Sequence, residues 1–182
     1  LYNPNTYWTE RKDPNRHEWL SWKEWAWLHS ALLPADRILE IGPGKGRCFP
    51  AYMYSGEVTG VDFVDTYQED AAQRATECHL NYHHVILPSP EKVVESFPEH
   101  DIGIAVKVLQ HIPKEDIDPW MDLLALCSRM VIIADLSLTR PKHMFNHQYI
   151  DLVLDRDFVI EQYETDGTRI YLGARHASSD TT

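Results

Sequence analysis

From Arg37 onward the chain alternates short β-branched runs with longer amphipathic ones, and this alternation constrains the fold more than any other feature. The apolar runs are Ile38 to Ile41, Val58 to Val61, Val85 to Leu87, Ile102 to Val106 and Met130 to Ala134. Between them lie helical candidates at Arg47 to Ser55, Thr66 to His79, Pro90 to Ser96, Lys114 to Ser128 and His143 to Asp155. Parallel strands cannot be joined by a tight turn, so strand-helix-strand repeats predict right-handed crossovers and a sheet with helices on both faces. The end of the chain breaks the rhythm. Phe158 to Glu164 and Arg169 to Ala174 both read as strands, with Asp166-Gly167 between them, the composition of a hairpin turn. The expectation is an α/β sheet, mostly parallel, closed by an antiparallel hairpin. At 182 residues the chain suits a single domain.

Ahead of this core lies a tryptophan-rich segment. Asp13-Pro14-Asn15 looks like a helix start, and Trp19, Trp22, Ala26, His29 and Leu33 recur at three- and four-residue spacing. They predict one buried helix face, ended by Pro34. The segment 1–36 either packs on the sheet or folds over a pocket as a lid. Residues 37–176 form the main domain, and the polar tail 177–182 is expected to fray.

The densest chemical signal is Ile38-Leu39-Glu40-Ile41-Gly42-Pro43-Gly44-Lys45-Gly46-Arg47. A strand runs into three glycines at alternate positions, and a helix is expected to follow. Glycine admits backbone angles closed to other residues and lets a ligand approach the main chain. The N–H groups of a following helix would face a carboxylate or phosphate. Sixteen positions after Gly46, Asp62 ends the second strand, where an acid accepts hydrogen bonds from both ribose hydroxyls and repels a 2′-phosphate. A dinucleotide loop reads G-x-G-x-x-G, whereas this one reads G-x-G-x-G with Glu40 beside it. That carboxylate disfavours a pyrophosphate and favours an ammonium. Ribose, carboxylate and ammonium together describe S-adenosylmethionine, and NAD is the competitor this comparison disfavours.

Glu40-Ile41-Gly42-Pro43-Gly44-Lys45-Gly46 resembles motif I of the class I S-adenosylmethionine-dependent methyltransferases, and Asp62-Phe63 resembles their acidic residue and its neighbour. Val108-Leu109-Gln110-His111-Ile112-Pro113 is similar to the V-L-x-H-I-P stretch after strand four in many small-molecule members. The likeness spans residues 37–174. It implies a Rossmann-like seven-stranded sheet ordered 3-2-1-4-5-7-6 with strand seven antiparallel. It also implies that Gly42, Pro43, Gly44 and Gly46 line the methionine end of the cofactor. Asp62 would take the ribose, Phe63 would pack on the adenine, and Lys107 would lie near the sulfonium. Tyr7-Trp8 is similar to a Tyr-Trp pair near the start of some members, which adds Tyr7 to the cofactor-binding candidates. One departure stands out: members commonly carry an Asp soon after strand three, where this chain reads Leu87-Pro88-Ser89-Pro90. Ser89 or a backbone carbonyl is the candidate for that role.

Methyl transfer from a sulfonium is an in-line displacement in which the protein supplies alignment, desolvation and, for some acceptors, a base. S-adenosylhomocysteine is the product. His111, just past strand four, is the first candidate base, and packing of the turn before Pro113 is its alternative role. After strand five, Asp135 is followed by Arg140, Lys142, His143, Asn146 and His147, a cationic stretch that could clamp an anionic small molecule or stand as solvated surface. His147 is the second base candidate.

Other classes are disfavoured by composition. The chain carries 17 Lys and Arg against 28 Asp and Glu, a formal charge of −11 that repels nucleic acid and anionic lipid. Base-flipping signatures are absent, no apolar run approaches the ~20 residues of a membrane span, and no signal-peptide pattern is visible. Three widely spaced cysteines suit a reducing, cytoplasmic setting. His79, His83 and His84 cluster, as do His143 and His147, but without cysteine ligands or an H-E-x-x-H pattern, so no metal is expected. A small molecule is the expected partner, with the protein a monomer or homodimer. Alternatives are a methyltransferase acting on protein or RNA with a partner, and a non-catalytic subunit that binds the cofactor.

Overall fold

The computed structural model describes residues 22–32, 36–88, 97–136, 144–165 and 169–180. They fall in two compact units, 1–88 and 89–182.

The first unit contains helix α1 (Trp22–Ala31), β1 (Arg37–Ile41), a short 3-10 helix (Phe49–Tyr52), β2 (Glu57–Asp62), α2 (Gln68–Glu77) and β3 (Tyr82–Ile86). β1 and β3 both pair parallel to β2, with Glu40, Gly60 and His84 in one row across the three strands. Ile38, Leu39 and Ile41 are completely buried, as a strand covered on both faces requires. Each such side chain contributes about 1.5–3 kcal/mol. Gly60 marks a close approach. A Cβ there would lie 2.5 Å from the Tyr82 hydroxyl and 2.9 Å from Pro43 Cγ, so a larger residue on β2 would displace the tyrosine.

The second unit contains β4 (His100–Val106), α3 (Ile117–Leu126), β5 (Ser128–Leu136), α4 (Tyr149–Leu154), β6 (Phe158–Thr165) and β7 (Arg169–His176). β4 and β5 are parallel, while β7 runs antiparallel to both β5 and β6. Arg156, just past α4, reaches Asp118 and Asp122 on α3, each at 2.8 Å. The strands form a seven-stranded sheet in the order β3-β2-β1-β4-β5-β7-β6, the topology expected from the sequence.

Three local expectations are corrected. The run 47–55 is not an α-helix: turns lead into the four-residue 3-10 helix, because Pro50 has no N–H to donate and Gly46 leaves the loop at φ 72°. The glycine loop therefore lacks the helix N-terminus expected to face an anion. The tryptophan-rich helix also turns a different face inward. Glu24, Trp27 and Leu28 are buried, while Ala26 and His29 are exposed. Trp25 stacks on His29 at 4.7 Å, and His29 in turn meets Tyr54. Burial follows from where α1 meets the 3-10 helix, which a periodicity count could not specify. Trp19 and Leu33 lie outside the described residues. Finally, the long helix expected over 143–155 is the six-residue α4, and residues 144–148 before it have no regular structure.

The candidate Pro90 to Ser96 helix, the Asp166-Gly167 turn and the last two residues lie outside the described residues. Ala177–Asp180 forms one 3-10 turn.

Candidate functional site

In the first unit the site grows from the end of β1. Gly42, Gly44 and Gly46 all adopt left-handed backbone angles, with φ 63°, 53° and 72°. An L-residue pays about 1–2 kcal/mol for that conformation, which accounts for glycine at every second position. The Gly42 N–H donates to the Val61 carbonyl at 2.8 Å, and the Gly46 N–H turns back to the Pro43 carbonyl at 2.9 Å. A Cβ on Gly46 would strike the Phe49 ring at 2.6 Å, whereas one on Gly44 would meet none of the described residues within 4 Å. Gly44 is thus an open position of the loop, where another molecule can approach bare backbone.

Asp62 closes the other side. Its Oδ1 accepts the N–H groups of Phe63 at 2.8 Å and Val64 at 3.4 Å, and the Gly44 N–H also donates to the carboxylate. A carboxylate offers about four acceptor positions, so these three donors fix its orientation and leave capacity for a ligand hydroxyl. Burial raises its pKa to about 6, against the lowering effect of the three N–H groups. Phe63 is half-buried beside it. Lys45 ties the loop to α2 through Asp70 at 3.4 Å and over the Tyr67 ring at 5.7 Å.

Glu40 is buried behind the loop. Burial lifts its pKa to about 7, while the Cys48 thiol, the Arg47 charge and the Tyr52 hydroxyl act in the opposite sense. Its Oε2 makes no hydrogen bond among the described residues. The Tyr82 hydroxyl lies 2.6 Å from His84 Nδ1, and burial followed by the Glu40 and Asp62 charges pushes its pKa up. Cys48, Tyr52 and Tyr82 were not anticipated from the sequence. Gly60, an isolated glycine within a strand, was the available sign that a side chain crosses there.

The second unit carries its own polar group. Lys107, directly after β4, holds φ 55°, a strained angle for a residue with a Cβ, and donates its N–H to the Ala134 carbonyl. Buried Asp135 accepts the Gln110 N–H at 2.9 Å and the Tyr149 hydroxyl at 2.7 Å, both at Oδ2. His111 is buried, with Nε2 3.3 Å from Gln110 Nε2. His147 Nε2 lies 3.0 Å from both the Leu109 and Ile112 carbonyls. Carbonyls only accept, so this nitrogen carries the proton and ties residues 144–148 to the loop bearing His111. Gln110 and Tyr149 were likewise missed, because their pairing with Asp135 spans 25 and 14 positions with no local pattern.

Asn146 is exposed. Tyr7, Ser89, Arg140, Lys142 and His143 lie outside the described residues. His83 sits 3.8 Å from Glu57, and no group of three metal-ligating side chains occurs among the described residues.

No protein-family model and no curated protein matches the chain. Solved structures do. Magnesium protoporphyrin IX methyltransferase from Synechocystis, crystallised with S-adenosylmethionine, is 23% identical with a TM-score of 0.65, over 85% of this chain and 76% of that one. A S-adenosylmethionine-dependent methyltransferase from Aquifex aeolicus is 13% identical with a TM-score of 0.67, over 96% and 98%. An O-methyltransferase family protein from Burkholderia thailandensis is 10% identical with a TM-score of 0.69, over 84% of this chain and 53% of that one. The fold is that of the class I methyltransferases.

Proposed function

We propose that this chain is an S-adenosylmethionine-dependent methyltransferase that methylates oxygen or nitrogen on a small molecule. One observation carries the reading: three left-handed glycines present an open backbone position, Gly44, whose N–H is joined to the Asp62 carboxylate. A ligand lying against that position meets bare backbone and a ribose acceptor together. The cofactor, when bound, supplies an activated methyl group and departs as S-adenosylhomocysteine.

The residues divide the work by their chemistry. Gly42, Pro43, Gly44 and Gly46 would receive the methionine end, Glu40 its ammonium, Asp62 the ribose hydroxyls and Phe63 the adenine face. The fit is good: Gly44 is open, Asp62 retains acceptor capacity, and Glu40 Oε2 needs a donor. With no helix behind the loop, the cofactor carboxylate depends on loop N–H groups and side chains. Tyr7, Ser89 and Lys107 remain proposed contacts. His111 is the proposed proton acceptor. His147, whose Nε2–H is committed to two carbonyls, fits the role of bracing that loop better than a second base.

The acceptor class is supported by neighbours of this fold that act on small molecules, magnesium protoporphyrin IX among them. The formal charge of −11 favours the same class over polynucleotides. The test is release of S-adenosylhomocysteine from S-adenosylmethionine across a panel of small hydroxyl and amine compounds. Turnover with one of them, reduced at least tenfold in His111→Ala, is expected. Turnover confined to RNA or protein acceptors contradicts the small-molecule assignment.

A further inference from the structure

The polar cluster behind the glycine loop goes beyond a cofactor contact. Glu40 is 1% exposed near the end of β1, two residues before left-handed Gly42. Around it stand groups from each neighbouring element: Arg47 and Cys48 from the loop, Tyr52 from the 3-10 helix, Asp62 from β2 and Tyr82 from β3. Among the described residues the Arg47 charge favours the Glu40 carboxylate, and the Asp62 charge opposes it. Cys48 and Tyr52 are wholly buried, and both hold their protons because burial pushes their pKa values well up. The Cys48 thiol and the Tyr52 hydroxyl ease a negative charge on Glu40 only in part, burial being the larger effect. Oε2 has no hydrogen-bond donor among the described residues.

We infer that Glu40 is protonated in the free protein near neutral pH and gives up that proton to solvent when a cationic amino-acid ligand binds, so that cofactor binding is coupled to proton release. The inference rests on the cofactor reading above and deepens it. The exchange balances: a neutral carboxylic acid and a free ammonium ligand become a carboxylate-ammonium pair and a proton taken up by the buffer. A burial-raised pKa near 7 and its fall beside the ligand charge give the coupling its direction. Affinity rises with pH up to about 7 and then levels off. Asp62, raised to about 6, adds a second and lower step as it takes the ribose hydroxyls. Free α-amino groups lose their proton near about 8, so the diagnostic window lies below that.

The experiment is calorimetric titration of S-adenosylhomocysteine into the full chain at about pH 7, in buffers of differing ionisation enthalpy. Roughly half a proton released per ligand bound is the expected result, and at lower pH the Glu40 share rises toward one while Asp62 adds its own. In Glu40→Gln, folding checked by circular dichroism, the release at about pH 7 should fall to the small share owed to Asp62. Binding heats that do not depend on the buffer overturn the inference, as does undiminished release in Glu40→Gln. Should that variant not fold, the wild-type pH series decides alone, a flat affinity between about pH 6 and 7 being the contrary result. Failure of the wild type to bind S-adenosylhomocysteine or S-adenosylmethionine at any pH overturns the cofactor reading itself.

Discussion

Asp62 and Glu40 are both carboxylates buried within one unit, yet their surroundings differ. Asp62 is held by three backbone donors, so its removal strands those N–H groups and takes away the proposed ribose acceptor together. Asp62→Ala is expected to weaken binding by about 1.5–3 kcal/mol, measured by titration, with the circular dichroism spectrum unchanged. Glu40 lacks such donors and its charge is a burden on the free protein. Its folded pKa, about 7 against 4.5, means that protonation favours the folded state. The destabilisation is therefore full above pH 7 and relieved as pH falls toward 4.5. Glu40→Gln should be more stable than wild type at about pH 8, by on the order of 2–3 kcal/mol in urea unfolding, with the gap closing near pH 4.5. Equal stability at both pH values contradicts the buried-charge account. The identity of both acids was legible in the sequence because a loop and a strand end fix their places. The partners of Glu40 were not, since Cys48 and Tyr52 meet it only once the helix expected at 47–55 is replaced by a tight turn.

At the scale of elements, the glycine loop separates into positions that shape it and a position that serves a ligand. Gly46→Ala meets both a left-handed angle and the Phe49 ring at 2.6 Å, and about 2 kcal/mol or more of stability should be lost. Gly44→Ala meets the angle alone. Its loss should stay near about 1 kcal/mol, while cofactor affinity drops at least tenfold, because the added methyl points into open space. In the second unit, Tyr149→Phe removes a donor from buried Asp135 and should cost about 1–3 kcal/mol in thermal unfolding. The strands themselves were readable, since Met130 to Ala134 is a continuous apolar run and Ile38 to Ile41 is broken only by Glu40, a pattern that suits a doubly covered sheet. Helices were read less well. Pro50 cut one short, and α1 buries Trp27 and Leu28 rather than the stripe its spacing suggested, because the surface it packs on, not its own period, selects the face.

For the molecule as a whole, the alternation of runs and the Asp-Gly signal carried the mostly parallel sheet and its antiparallel ending, while the order β3-β2-β1-β4-β5-β7-β6 was what the resemblance to class I methyltransferases implied. The acceptor was not, because no local pattern specifies a small-molecule pocket. A ligand that binds only the folded chain stabilises it by about 2.7 kcal/mol at a hundredfold excess over Kd. For a chain of this size that corresponds to a rise in Tm of roughly 5–10 °C. The most direct test of the central claim is an equilibrium titration of the full chain with S-adenosylhomocysteine, run beside NAD. Saturable binding of S-adenosylhomocysteine, weakened at least tenfold by Asp62→Ala and absent for NAD, is the predicted result. Binding of NAD in its place, or S-adenosylhomocysteine affinity untouched by Asp62→Ala, would contradict it.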